Sequence, residues 1–197
     1  MPFDFQAIWA RVQSLLLRPR TTWEDIEKLP ADITGTYRGY VVPLAAIPTI
    51  ANFLGMALIG VGIAGYHVRT GFINGLFSAF VGFGLSLGMV YALAHIIDQL
   101  APNFGASRNF DQAFKLAAFA PTASWVAGIL YLVPALGIFG VIGGLYSLYL
   151  LFVGLPILMK PAPDKSTTYT LAVIGAAIVL AIVLGLVMRI FFSPAMQ

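Results

Sequence analysis

The sequence predicts an all-α, polytopic membrane protein with five transmembrane helices and a short amphipathic N-terminal helical leader. Composition is the first observation: 59% of the 197 residues are hydrophobic and 10% are charged, whereas about 25% charged residues is usual in soluble domains. Placement of charge is the second, because 10 of the 19 charged residues lie within the first 39 positions. The remaining 158 residues cannot cover a water-facing surface with nine charges. A soluble globular fold is therefore excluded.

The leader, residues 1–39, predicts two short helices. Its apolar residues recur at three- and four-residue steps, which places them on one helical face; they are Phe5, Ile8, Trp9, Val12, Leu15 and Leu16. Pro19 ends this helix because its ring disfavours helical geometry at the preceding residue. We expect a second helix from Thr21 or Thr22, because Thr21-Thr22-Trp23-Glu24 has the form of a capping box.

The first leader helix has the composition of a membrane-surface element. Trp9 can lie among lipid head groups, and Arg11, Arg18 and Arg20 can meet anionic lipids. The alternative is that the same apolar face packs against the ends of the transmembrane helices. The two interpretations are compatible, and the sequence leaves both open.

Five apolar segments are long enough to cross the hydrocarbon core, which takes about 20 residues. They form a membrane domain over residues 40–192, with spans at about 40–66, 72–97, 114–133, 135–159 and 169–192. Spans three and four meet at Pro134 and must form a tight hairpin, since one continuous helix would exceed the bilayer thickness. Because the polar leader comes first, we expect no cleaved signal peptide.

The basic residues predict the orientation of the spans. With the N-terminus in the cytoplasm, nine Lys and Arg residues lie on the cytoplasmic side: Arg11, Arg18, Arg20, Lys28, Arg38, Arg108, Lys115, Lys160 and Lys165. Only Arg69 and Arg189 lie opposite. The positive-inside rule then predicts a cytoplasmic N-terminus and an external or lumenal C-terminus, as in a bacterial inner membrane.

Glycine spacing predicts close helix packing. Three pairs of glycines lie four residues apart, a pattern that lets helices approach closely; the pairs are Gly71 and Gly75, Gly84 and Gly88, and Gly140 and Gly144. We expect these faces to pack within the chain, with a homodimer seam as the alternative. Pro43, Pro48, Pro121 and Pro156 are expected to kink packed helices.

The one candidate polar site joins Tyr91, His95 and Asp98 near the end of span two. His95 and Asp98 are three residues apart and share a helix face, with Tyr91 one turn before them. Ionisable groups within a span indicate function, but Asp98 falls at the membrane edge. The structural alternative is a polar cap that ties span two to Arg108 or Lys115.

Signatures of catalysis and of cofactor binding are missing from the sequence. It has no Gly-x-Ser-x-Gly, no His-Glu-x-x-His, no phosphate-binding loop and no cysteine. We therefore expect no catalytic residue, no cofactor and no metal. The net charge of +3 is small and its basic residues flank apolar segments, so we expect no nucleic-acid partner.

The run from Gly144 to Lys160, GLYSLYLLFVGLPILMK, resembles the fourth span of the Yip1 family. Its motif residues are Tyr146, Tyr149, Gly154, Pro156 and Lys160. Further matches are Pro19…Thr22-Trp23, the loop Ala101-Pro102-Asn103-Phe104-Gly105, and the Phe110…Ala113…Ala120-Pro121 entry to span three. We expect Tyr146 or Tyr149 to donate a hydrogen bond to a kinked backbone, such as the carbonyls freed by Pro121.

The resemblance implies five spans and no catalytic residue. Eukaryotic Yip1 proteins associate with Rab GTPases and one another in vesicle trafficking, but the 39-residue leader does not match their long N-terminal region, so Rab binding is not carried over. We expect a non-enzymatic protein that organises membrane lipid or partner proteins, including copies of itself. The rival hypotheses are a small transporter or channel using His95 and Asp98, and an accessory subunit that docks through the glycine faces.

Overall fold

The computed structural model describes residues 5–63, 66–68 and 71–192, and of residues 61–63, 66–68 and 190–192 the backbone alone. Two leader helices, α1 (Phe5–Leu17) and α2 (Pro19–Lys28), precede five long helices. These are α3 (Ile33–Ile59), α4 (Phe72–Phe104), α5 (Phe110–Leu132), α6 (Pro134–Met159) and α7 (Ser166–Phe192). All five are long and apolar enough to cross a membrane, which confirms a polytopic all-α fold.

The second leader helix begins two residues before the expected Thr21. Pro19 occupies its first turn and Arg18 its N-cap, where no side chain caps the backbone. Proline suits this position because its missing N–H would have no helical partner anyway. The hydroxyls of Thr21 and Thr22 instead donate to the Arg18 carbonyl, at 3.2 and 2.8 Å. The capping-box prediction was therefore wrong.

The first long helix also begins earlier than the expected residue 40. Asp32 caps α3, its Oδ1 accepting a 2.7 Å hydrogen bond from the Gly35 N–H. Helix α3 contains two π-helical stretches, Tyr37–Val41 and Gly55–Ile59. It ends at Ile59, where an antiparallel hairpin of β1 (Val61–Ile63) and β2 (Tyr66–Val68) begins. Arg69, which the charge count assigns to this side, lies outside the described residues.

Helices α5 and α6 meet at an abrupt turn. Both ends are 3-10 helical, over Gly128–Leu132 and Pro134–Phe139. Between them Val133 is extended, with φ −111° and ψ 102°, as expected for a residue that precedes proline. We call this end of the bundle, which also carries the β hairpin, the hairpin end, and the opposite one the leader end.

Burial is concentrated in the half of the bundle near the leader end. The largest fully buried side chains include Trp23, Ile97, Phe114, Leu155 and Tyr169. Towards the hairpin end the apolar side chains are exposed on every long helix, for example Ile50, Phe80, Ile129, Ile142 and Ile182. The hairpin half thus presents an apolar belt, whereas α1 and α2 cover the leader half.

Candidate functional site

Helix α2 packs against α6 through Trp23. The indole is fully buried and lies directly over Gly154: a Cβ at that position would be 2.6 Å from Trp23 Cε2 and 2.8 Å from Leu116 Cδ1. No larger residue fits beneath the ring without displacing it. Trp23 and Gly154 belong to two segments that resemble the Yip1 family, and this one contact gives both residues a structural role.

The C-terminal end of α2 is held by two spans. The Glu27 carbonyl accepts from Lys115 Nζ at 3.2 Å and from Gln112 Nε2 at 3.0 Å, and the Leu29 carbonyl accepts from Lys115 Nζ at 2.6 Å. The Glu27 carboxylate forms an ion pair with Lys160. Carbonyls at the C-terminal end of a helix lack intrahelical hydrogen-bond donors. Here the buried ammonium group of Lys115 supplies the missing donors.

Tyr146 holds the end of α1. Its hydroxyl donates a 2.7 Å hydrogen bond to the Leu16 carbonyl, not to a carbonyl freed by Pro121 as expected. The reason is that α1 lies along this part of the bundle and brings its own unpaired terminal carbonyls. Tyr149 is 47% exposed and its ring lies 5.4 Å from that of Tyr146. We call Gln112, Lys115, Tyr146, Gly154 and Lys160 the leader seat.

At the leader end, the loop after α4 contacts the loop before α7. Gly105 has φ +72°, and a Cβ there would lie 2.9 Å from Ala162 Cβ. The Ala162 N–H donates to the Phe104 carbonyl at 3.1 Å. Phe104 stacks on Tyr169 at 4.8 Å, and the Tyr169 hydroxyl donates to the Ile97 carbonyl. Pro156 lies within α6, which ends at Met159 with Lys160 as its C-cap.

Helix α1 has a buried and an exposed apolar face. Ile8, Val12 and Leu15 are buried in the core, so the single face expected from the sequence is divided. Phe5, Trp9 and Leu17 remain exposed, at 67, 48 and 78%. Arg18 and Arg20, which follow Leu17 in the chain, are also exposed, and Arg11 is half-buried, close enough to Tyr40 for an electrostatic interaction.

The structure brings His95 and Tyr91 together, and among the described residues it shows no contact between His95 and Asp98. His95 is exposed; its Nδ1 lies 3.0 Å from the Tyr91 carbonyl oxygen and its ring 4.6 Å from that of Phe110. Asp98 is half-buried, and its Oδ1 has no hydrogen-bond partner among the described residues. Lys115, expected as a tie to this helix, binds the leader instead.

The predicted glycine faces differ in their surroundings. A Cβ at Gly140 would clash with the Tyr131 ring, and one at Gly144 would lie 3.8 Å from Ser124 Oγ. At positions 71, 84 and 88 such a Cβ would meet no atom of the described residues within 4 Å, so these glycines do not pack against the other helices as far as the structure describes them. Gly75 lies at a groove instead, together with Gly82, between α3, α4 and α7.

Sequence reasoning missed the role of Gln112, Lys115 and Glu27. Lys115 carried a usable signal, because a lysine inside an apolar span must find a partner. Its partners were not readable, since they are backbone carbonyls more than 80 positions earlier in the chain.

Comparison with known proteins agrees with these motifs. The chain matches the Yip1 domain family over residues 13–185, a range that includes α2 and the leader seat. It is similar to the inner membrane protein YohC of Escherichia coli, strain K12 and strain O6:H1, with 23% identity over 182 residues, 90% of this chain and 93% of the relative. No solved structure matches.

Proposed function

This chain belongs to the Yip1 family, and we propose that it is a non-enzymatic protein of the bacterial inner membrane that organises membrane lipid or partner proteins. The observation that carries the proposal is the outward face of α1. A helix whose inner face is fixed to the bundle presents Phe5, Trp9 and Leu17 to the surroundings beside Arg18 and Arg20. This combination suits the boundary between lipid and water.

The height of α1 on the bundle supports this role. Tyr146, which holds Leu16, precedes Lys160 by 14 residues, so the end of α1 lies about 21 Å from the leader end at 1.5 Å per residue. Below this level lie Asp98, Asp111 and Lys165, and above it begins the apolar belt. The outward face of α1 would therefore lie beside the lower edge of the apolar belt.

Fixing α1 to the bundle favours its binding to lipid. A free peptide loses conformational entropy when it folds at the membrane. Helix α1 is already ordered, so its binding to lipid does not carry that entropic cost. Each Arg near an anionic surface contributes about 1 kcal/mol. Arg18 and Arg20 would thus favour anionic lipids around the protein.

The positive-inside rule predicts a cytoplasmic leader, and the relative's inner-membrane name supports that membrane for this chain. Anionic lipids of the cytoplasmic leaflet would then be the ones that meet α1. The C-terminus would lie on the opposite side.

The proposal is tested with the full chain reconstituted in vesicles. Because the protein has no cysteine, a spin label can be attached at Gln13→Cys on the exposed side of α1, with Asp25→Cys on α2 as the control. We expect the label at 13 to be accessible to oxygen at head-group depth and the label at 25 to be accessible to water. Equal exposure of both labels to water would contradict the proposal.

A second experiment tests lipid organisation itself. We expect Phe5→Asp with Trp9→Asp to remove anionic lipid that co-purifies in mild detergent, at unchanged melting temperature, because both side chains lie outside the core. The matched control is Ala10→Asp, which is exposed on the same helix. Unchanged anionic lipid in the double variant would show that α1 does not recruit it.

An accessory-subunit role is the second candidate, and the exposed Gly84 and Gly88 favour it. Their Cβ positions are open, as a face for another transmembrane helix requires. Photo-crosslinking from Leu85, exposed beside Gly84, should capture a membrane protein or a second copy of this chain; capture of lipid alone would eliminate this role. His95 and Asp98 do not line the groove between α3, α4 and α7, so that groove gives no support to a transport role for them.

A further inference from the structure

A groove of about 150 Å³ lies between α3, α4 and α7 in the apolar half of the bundle. Its polar lining consists of Thr49, Asn52 and Ser78, and its apolar lining includes Phe53, Ala79 and Met188. We infer that this groove binds one glycerol ester and the first methylene groups of the adjoining acyl chain of a membrane phospholipid. The site is separate from α1, so the inference does not depend on the proposed function.

Unpaired polar groups in the groove call for a ligand. Asn52 is exposed on a transmembrane helix, and in the described part of the chain neither its amide nor the Ser78 hydroxyl has a recorded hydrogen bond. The Thr49 hydroxyl donates to the Ala45 carbonyl at 3.1 Å and is satisfied. A polar group without a partner in hydrocarbon costs several kcal/mol. An ester carbonyl is a strong acceptor for both donors.

The depth of the groove suits an ester. Asn52 lies seven residues before Ile59, the last residue of α3, which is about 10 Å from the hairpin end of that helix. The glycerol esters of a phospholipid lie at the edge of the hydrocarbon core, and one to two helical turns separate Asn52 from the end of the span. Phe53 and Phe72, with ring centroids 5.4 Å apart, lie on the side towards that edge.

The shape and charge of the groove favour a narrow, uncharged ligand. Gly75 and Gly82 form one wall, and a Cβ at position 82 would lie 3.2 Å from Met188 Cε. A narrow slot of this volume can hold a small apolar group. Among the described residues no Lys, Arg or His lines it, so the carboxylate of a free fatty acid would lack a counter-charge there, whereas an uncharged ester needs only the two donors.

The inference is tested by native mass spectrometry of the full chain released from membranes or nanodiscs. We expect the wild type to retain a phospholipid, and Asn52→Leu with Ser78→Ala to retain at least ten-fold less at an unchanged melting temperature. The control is Asn74→Leu, which replaces an exposed asparagine on α4 that does not line the groove and should keep the lipid. Equal retention by the double variant and the wild type would overturn the inference.

The single-cysteine variant Ser78→Cys distinguishes the remaining occupants. In a lipid-filled groove it should react slowly with a membrane-impermeant thiol reagent and form no disulfide with a second copy. Rapid labelling would mean a water-filled cavity, and disulfide dimers would mean that a second chain covers the groove. Either result would overturn the lipid inference, and neither would bear on α1.

Discussion

The indole of Trp23 lies against Gly154, with only 2.6 Å between Trp23 Cε2 and the position that a Cβ would take. The two residues are 131 positions apart and belong to the two ends of the Yip1 match. This contact makes the leader part of the folded membrane domain. The glycine is required here for close approach of an aromatic ring.

The Trp23–Gly154 contact predicts a large and specific loss of stability. Gly154→Leu should destabilise the protein by about 1–3 kcal/mol through overpacking, and Trp23→Ala by about 3–5 kcal/mol. The double variant should lose less than the sum, because the residues are in contact. Thermal unfolding in detergent measures all three, with Gly175→Leu as the control, since its Cβ meets nothing within 4 Å. Additive losses would contradict the contact.

The two lysines of the leader seat should contribute unequally to the free energy of unfolding. Lys115→Met leaves the Leu29 carbonyl without its partner and should cost about 1–3 kcal/mol. Lys160 is 70% exposed in its ion pair with Glu27, so Lys160→Met should cost about 0–1 kcal/mol, an effect that high salt removes. Limited trypsin cleavage after Arg20 or Lys28 reports release of the leader. Faster cleavage in Lys160→Met than in Lys115→Met would contradict the prediction that Lys115 contributes more.

Removal of the hydroxyl should destabilise the protein more at Tyr146 than at Tyr149. Tyr146→Phe removes the hydrogen bond to the Leu16 carbonyl and should cost about 0.5–1.5 kcal/mol. Tyr149→Phe is the matched control, because its exposed hydroxyl has no hydrogen bond recorded within the described residues. Melting temperatures and hydrogen exchange of α1 check the difference. Equal effects would mean that the Leu16 bond does not hold α1.

The basic residues predict the topology. Reporter fusions after Lys28 and within residues 161–168 should report the cytoplasm, and a fusion at Gln197 should report the opposite side, because nine of the eleven Lys and Arg residues favour that arrangement. A cytoplasmic C-terminus would refute either the five spans or their orientation.

His95 and Asp98 should act structurally. His95→Ala loses the ring contact with Phe110 and should cost about 0.5–1.5 kcal/mol. Asp98→Asn should be close to neutral, since it removes a partly buried charge that has no recorded partner on Oδ1. Neither change should reproduce the cellular phenotype of a deletion. Loss of function at normal abundance and stability would restore the transporter hypothesis.

The sequence by itself determined the class of this protein and its division into parts. The scarcity of charge, the length of the apolar runs and Pro134 were enough to predict five spans and a turn, because a bilayer constrains a helix locally and along the sequence. The three- and four-residue spacing in the leader likewise predicted an amphipathic α1. The family motif drew attention to Gly154 and Lys160 without saying what they contact.

Only the tertiary structure decided which faces are used. Ile8 and Trp9 are adjacent and similarly apolar, yet one is buried and the other is half exposed; their sequence spacing cannot say which neighbour covers them. The same holds for Lys115, whose partners are backbone carbonyls of a distant helix, and for Tyr146, which met α1 and not the bend at Pro121. Backbone carbonyls carry no sequence identity, so the partners of both side chains became definite only when the helices packed.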